Sequence, residues 1–104
     1  MPQHTVHFEV HPNGNIDYIP GLLHANKGHQ VKWTCNSPDF FVAFIGSSPF
    51  PAAGYAGSGG VINSKTIKMS ASPGAYHYQF GAIIATRRGK KLVMTVSCPE
   101  IEIP

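Results

Sequence analysis

Short stretches in which apolar and polar residues alternate recur along this chain, and they constrain its fold more than any other feature. In residues 5–11 the apolar side chains, Phe8 and Val10 among them, fall on one face and the polar ones on the other. Residues 30–35 repeat the pattern, with Trp33 on the apolar face. Alternation with a period of two indicates a β-strand that is buried on one side. The chain is therefore expected to form strands that cover a common core.

Turn-forming residues separate these stretches. The 104 residues include 11 Gly and 9 Pro, and only 12% are charged, which is about half the usual share. Asn13-Gly14 is a strong hairpin signal, and residues 72–74 form another turn sequence. Short strands separated by turns at intervals of about 8–12 residues are typical of a sandwich. The sequence predicts an all-β fold, a Greek-key β-sandwich of seven to eight strands, in a single domain of residues 1–104.

Two segments depart from simple alternation. Residues 40–45 are continuously apolar, as expected of a central strand that is buried on both faces. Residues 46–64 are rich in Gly, Ser, Ala and Pro and show no clear period, which predicts a functional loop or a partly ordered excursion. Further along, residues 75–80 place three aromatic side chains on one face, and this stripe is expected in the core: Tyr76, Tyr78 and Phe80.

Six histidines suggest a metal site, but their spacing argues against one. His7 and His11 share a strand face, yet residues four apart on a strand are roughly 13 Å apart and cannot chelate one ion. His7 and Glu9 are roughly 7 Å apart and would need a third ligand from another strand. The other histidines are scattered. We expect the histidines to be solvated or hydrogen-bonded, with His7 and Glu9 as the weaker, metal-binding alternative.

Catalytic signatures are not found in the sequence. The five acidic residues are isolated, and the serines occur in turns without a nucleophile-elbow pattern. Residues 57–60, Gly-Ser-Gly-Gly, lack the Lys-Ser/Thr pair of a phosphate-binding loop. The sequence therefore predicts a protein that is not an enzyme and that carries no cofactor.

A basic turn is the sharpest local signal. Arg87, Arg88, Lys90 and Lys91 surround one glycine, and flanking residues 82–86 and 91–96 indicate a hairpin. Such a cluster can bind phosphate or an acidic partner. It can also be a solubilising edge that discourages strand pairing, which is the interpretation that we favour from sequence. Nucleic acid is an unlikely partner, because no exposed aromatic residues can be assigned beside the turn.

Cysteine usage and the N-terminus bear on the compartment. Cys35 and Cys98 lie far apart with no CxxC motif, so they form one disulfide or two separate thiols. No basic and apolar leader is visible at the N-terminus, which favours the cytoplasm, and hence the thiols, unless a leader has been removed. The apolar runs are also too short for a membrane span, so no membrane association is expected.

From Tyr18 onward the chain resembles the cupredoxins, the family of plastocyanin and azurin. Residues 18–33 run through a proline and a Lys-Gly turn to Val-Lys-Trp, and residues 73–78 read Pro-Gly-Ala-Tyr-His-Tyr. In that family the second segment leads to the copper cysteine, and residues 91–97 match the last strand.

The resemblance implies a fold but not a copper site. It places Phe40 near the position of the first histidine ligand and Phe80 at the position of the cysteine. The second histidine and the methionine would fall in residues 81–88, which contain neither. A blue copper site needs a thiolate and two imidazoles on one ion. The resemblance therefore implies a copper-free cupredoxin-like domain without an electron-transfer role.

We therefore expect a binding or protein-interaction module. It would use one end of the sandwich, where residues 46–64 and residues 87–91 both project. The partner is expected to be a protein, a second copy of the chain, or a small anionic ligand. The alternatives are a non-blue metal-binding protein that uses surface histidines and a sugar or anion binder that uses Tyr55 and the basic turn.

Overall fold

The computed structural model describes residues 2–95 and 97–104. Two residues lie outside the described ranges. They are Met1, which belongs to the N-terminus discussed above, and Val96, which is the last residue of a predicted strand. The described chain forms ten strands and no helix: β1 (Gln3–Val10), β2 (Ile16–Ile19), β3 (Leu22–His24), β4 (Gln30–Cys35), β5 (Phe40–Phe44), β6 (Gly54–Gly57), β7 (Val61–Thr66), β8 (Gly74–Thr86), β9 (Gly89–Met94) and β10 (Glu100–Ile103).

The strands form two mixed sheets. The first has the order β2-β1-β4-β7, and the second has the order β3-β10-β8-β5-β6, with β9 also paired to β8. The β1–β4 and β3–β10 pairs are parallel, and the other pairs are antiparallel. No apolar helix of membrane-spanning length occurs in the described part of the chain. The predicted all-β sandwich is confirmed.

Alternating strand faces meet in one core between the sheets. Trp33 of β4 is fully buried, as the alternation predicts, and its indole Nε1–H donates to the Tyr78 hydroxyl of β8 at 3.3 Å. Phe8 of β1 stacks on Phe80 of β8 with ring centroids 3.9 Å apart. Both contacts join the two sheets through aromatic side chains. Burial also raises the pKa of Tyr78, so this hydroxyl stays protonated.

The structure has more strands than the seven to eight predicted, and residues 46–64 contribute to the difference because they are not one loop. They contain β6 and the first part of β7, and the preceding segment is anchored by Phe50, which is only 1% exposed. β6 is an edge strand made of Gly-Tyr-Ala-Gly, and a Cβ at Gly57 would lie 2.4 Å from the Phe40 ring. Small residues that admit a neighbouring ring give no alternation, so the sequence pattern missed this strand.

One long strand also replaces two predicted ones. Residues 75–80 and 82–86 belong to β8, which continues through Gly81. A Cβ at Gly81 would lie 2.5 Å from the Phe41 ring, so the glycine admits that ring and does not break the strand. Phe41 and Ala43 are half-buried on the outer face of β5, so this strand is fully buried on its inner face only.

The two cysteines are both free. Cys35 is buried at the end of β4, whereas Cys98 is exposed before β10. Burial raises the pKa of the Cys35 thiol, although the Ser37 amide opposes this by donating to its sulfur at 3.3 Å. A raised pKa lowers the thiolate fraction, and the thiolate is the reactive form. The two thiols are therefore expected to differ in reactivity.

Trp33→Ala tests the core. Removing this indole leaves a cavity and an unpaired Tyr78 hydroxyl, so we expect the free energy of unfolding to fall by about 3–5 kcal/mol in urea denaturation. Trp33→Phe keeps an aromatic ring and is expected to cost less. A loss below about 1 kcal/mol for the alanine variant would mean that β4 does not face the core.

Thiol labelling tests the cysteine environments. In the native protein at mildly alkaline pH, a chromogenic disulfide reagent is expected to modify one thiol rapidly and the second only after unfolding. Cys98→Ser should remove the rapid phase. The arrangement of Cys35 and Cys98 would be contradicted if both thiols of the native protein reacted equally fast. It would also be contradicted if the unfolded protein, without reductant, had no reactive thiol.

Candidate functional site

The β8–β9 hairpin extends beyond the rest of its sheet. β5 pairs with β8 from Phe44↔Tyr78 to Phe40↔Ala82, and one further bond joins the Ile83 amide to the Asp39 carbonyl. Beyond that point β8 pairs with β9 alone, as far as Thr86↔Gly89. We call residues 83–92 the arm. In the described chain no strand lies beside the arm beyond Ile83, and only the base of the arm contacts the loop of residues 36–39.

A two-residue turn forms the tip of the arm. Arg87 and Arg88 connect the strands, and Gly89 adopts a φ of 116°, which favours glycine. The Thr86 hydroxyl donates to the Gly89 carbonyl at 2.8 Å and accepts from the Arg88 amide at 3.3 Å. The predicted basic hairpin is confirmed. Its four cationic side chains are all exposed: Arg87, Arg88, Lys90 and Lys91.

Electrostatics distinguish the arm from the rest of the surface. In residues 2–95 and 97–104, every contact within 4.0 Å between a basic side chain and a carboxylate involves a histidine, which is charged only when protonated: His7–Glu9, His11–Asp17, His24–Glu102 and His77–Glu100. No lysine or arginine of these residues pairs with a carboxylate within 4.0 Å. Four of the five acidic residues are thus next to imidazoles. The fifth, Asp39, lies at the base of the arm and lines one concavity with Lys90, but no carboxylate of the described residues is within 4.0 Å of a cation of the arm. Four of the eight lysines and arginines that give the chain its net charge of +3 are concentrated at this tip.

The outward face of the arm is apolar. Ile83 and Leu92 are cross-strand neighbours that are 42% and 53% exposed, and Met94 follows at 37%. Phe41 lies beside them over Gly81, and the groove between Phe41, Ala56 and Ile83 has a volume of about 290 Å³. Exposed apolar side chains that adjoin one another indicate an interaction surface, whereas single ones do not.

A second concavity lies at the base of the arm. Its volume is about 380 Å³, and Val10, Pro38 and Ile84 give it an apolar lining. Asp39 and Lys90 also line it. Ser37 of the adjoining loop already has a partner, because its Oγ donates to the Ile83 carbonyl at 3.0 Å. This cleft can receive an apolar side chain of a molecule bound to the arm.

The structure does not bring Tyr55 to the basic turn. Its half-buried ring packs against Trp33 and Phe50, and Lys65 Nζ lies 4.9 Å above the ring. Tyr55 and Phe80 are both paired with Val42 of β5, one on each side. Thr86 is six positions further along β8 than Phe80, which corresponds to about 20 Å. Tyr55 and the four cations therefore do not line one binding site.

The expectation that the whole of residues 46–64 projects beside the basic turn is also wrong. Residues 46–53 follow the end of β5 at which Ile45 bonds to the His77 carbonyl. That end is opposite to the arm, because the arm begins beyond Ala82 on the same strand. Only the short turn between β6 and β7 lies at the arm end, where the Gly60 amide donates to the Pro38 carbonyl.

Four histidines make hydrogen bonds, namely His4, His7, His11 and His29, and the exposed His24 and His77 lie 3.6 Å from a carboxylate oxygen. His7 lies between the Thr34 hydroxyl at 2.7 Å and Glu9 at 3.1 Å, so the pair of the metal-binding alternative is in contact. Yet no group of three or more His, Cys, Asp or Glu side chains in the described ranges is arranged to hold a metal ion. His7 and Glu9 lack the third ligand that the alternative requires.

His4 and His29 form the only histidine pair in the described residues. The His29 Nδ1 accepts the Asn26 amide at 3.2 Å and carries no hydrogen, so His4 Nε2–H is the donor of the 2.9 Å bond between the rings. Burial and the neighbouring His29 lower the pKa of His4, which favours this neutral arrangement. The pair has a structural role at the start of β1 and β4.

Sequence reasoning found the cations of the arm but missed its apolar face. Ile83, Leu92 and Met94 lie in different strands, and only the register of β8 with β9 makes them neighbours. Comparison with protein-family models and with curated protein sequences gives no match to this chain. The functional conclusion therefore depends on the geometry of the arm.

Proposed function

We propose that this domain is a copper-free, cupredoxin-like interaction module with Greek-key connections, and that its arm binds an acidic segment of a partner protein. One observation carries the proposal. The arm combines four cations that make no ion pair within 4.0 Å in the described chain with a contiguous apolar face. Free charges draw an acidic partner to the surface, and the apolar face supplies affinity once the partner is bound.

The apolar face favours a protein segment over a small anion. A phosphate or a sulfated sugar would use Arg87, Arg88 and the lysines but would leave Leu92 and Met94 exposed. A segment with both acidic and apolar side chains complements both parts of the arm. The exposed side chains of Ile83, Leu92 and Met94 give apolar anchor side chains a surface to pack against.

Binding without copper or catalysis fits the residues at the family's copper positions. Phe40 and Phe80, the positions that the resemblance assigns to a histidine and the cysteine, are 3% and 0% exposed, with ring centroids 5.6 Å apart. Two packed phenyl rings at those positions support the core and offer no metal ligand. Their chemistry supports a binding role over copper-dependent electron transfer, and the proposed module is a binding protein and not an enzyme.

Arm variants test this function with two synthetic peptides of equal negative charge. One peptide intersperses valines among its glutamates, and the other has serines in their place. We expect the protein to bind the valine peptide more tightly, and Arg87→Ala/Arg88→Ala to weaken that binding roughly threefold to tenfold. Leu92→Ser should weaken it as well. Isothermal calorimetry at two salt concentrations is the measurement, and higher salt should weaken binding.

Matched variants away from the arm serve as controls. Lys27→Ala/Lys68→Ala removes the same charge, and Leu22→Ser removes an exposed leucine of β3. Neither should change binding, and the arginine variant should shift unfolding by less than about 1 kcal/mol. Equal effects of both double variants would reduce the arm to a solubilising edge. Tighter, arm-dependent binding of heparin than of the valine peptide would contradict an acidic protein partner.

A copper titration tests the copper-free assignment. Because Phe40 and Phe80 supply no imidazole and no thiolate, added Cu(II) is expected to give no intense thiolate charge-transfer band in the visible spectrum. Cys98→Ser controls for weak binding at the exposed thiol. An intense band that persists in that variant would mean that the family's ligand positions fall elsewhere in this chain.

A further inference from the structure

We propose that the acidic segment binds by strand addition, as an antiparallel strand along the open edge of β9. This inference rests on the proposed function and specifies its geometry. In the described chain β9 pairs with β8 only, so its other edge has no partner strand. An unpaired edge of a sheet is a template for an extended peptide, with main-chain hydrogen bonds giving affinity and side chains giving selectivity.

The register identifies which backbone groups are available. Two bonds show that the odd residues point toward β8: the Gly89 carbonyl accepts from the Thr86 hydroxyl, and the Thr95 amide donates to the Phe80 carbonyl. Bonding direction alternates along an antiparallel strand. The amides and carbonyls of the even residues therefore point to the open edge: Lys90, Leu92 and Met94.

The side chains of β9 define what the added strand carries. On the outer face, the residues opposite Leu92 and Met94 meet apolar groups, and the residue opposite Lys90 meets a cation. On the inner face, the residue opposite Lys91 meets a second cation. The position opposite Val93 has little room, because the turn at Gly14 approaches the Val93 side chain. An antiparallel segment runs from Met94 toward Lys90. From its N-terminus to its C-terminus, its five residues are therefore apolar, small, apolar, acidic and acidic.

Charge decides between this occupant and a second copy of the chain. Pairing two arms through β9 would bring eight cationic side chains together, four from each copy, while Asp39 of each copy lies at the base of its arm. Like charges on neighbouring strands are destabilising. An acidic segment instead forms ion pairs across the new strand pair while it extends the sheet of β8 and β9.

N-methylation of a peptide tests strand addition without any change in charge. The probe contains Val-Ser-Val-Glu-Glu, written to lie opposite Met94, Val93, Leu92, Lys91 and Lys90. Methylating the amides of both valines blocks the bonds to the open edge. We expect the dissociation constant to rise by a factor of roughly ten or more. Methylating the serine amide, which points away from β9, is the matched control and should leave binding nearly unchanged. Calorimetry measures all three peptides.

On the protein, Leu92→Pro removes an amide that points to the open edge and leaves the bonds to β8 intact. It should abolish peptide binding, whereas Leu92→Ala should only weaken it, and circular dichroism reports whether both variants fold. If all methylated peptides bind equally well, strand addition is wrong although the proposed function stands. If the unmethylated peptide does not bind, the proposed function itself is wrong. Concentration-dependent dimerisation that Leu92→Pro abolishes would identify a second copy as the occupant.

Discussion

The interlocking of aromatic rings between the two sheets is the contact on which the rest of this structure depends. Trp33 and Phe8 extend from the first sheet, and Tyr78 and Phe80 extend from the second to meet them. Because side chains alternate along a strand, fixing these rings inside the core also fixes which residues of each strand face outward. A shift of β8 by one residue would expose Tyr78 and Phe80 and would bury His77 and Gln79.

The arm is positioned by this core although it lies outside it. β8 is one strand of 13 residues, and its middle part is held by Tyr78 and Phe80 between the sheets. The same alternation continues past Ala82, so Ile83 faces outward next to Leu92. The packing of β8 in the core therefore fixes which side chains of the arm face outward, although the arm itself makes few contacts. The apolar side chains that face outward there have no partner within the described domain.

Histidines give the surface its unequal charge distribution. Four of them lie beside four of the five carboxylates, and no lysine or arginine of the described residues lies within 4.0 Å of a carboxylate. Exposed pairs of this kind contribute little to stability. Their effect on the field is larger, because acidic and basic residues are kept apart, and the basic ones concentrate at the tip of the arm. That separation supports the proposed binding of an acidic segment by the arm.

The sequence by itself determined the all-β class, the inward faces of β1 and β4, the hairpin at Gly14 and the basic turn, because each follows from local periodicity or from turn chemistry. Only the tertiary structure decided that residues 46–64 contain strands and that Tyr55 packs in the core away from the cations. It also decided that Ile83, Leu92 and Met94 form one face and that β9 keeps an open edge. These features depend on which strands are neighbours and in what register. Pairing joins residues that are distant in the chain, so no local pattern records it.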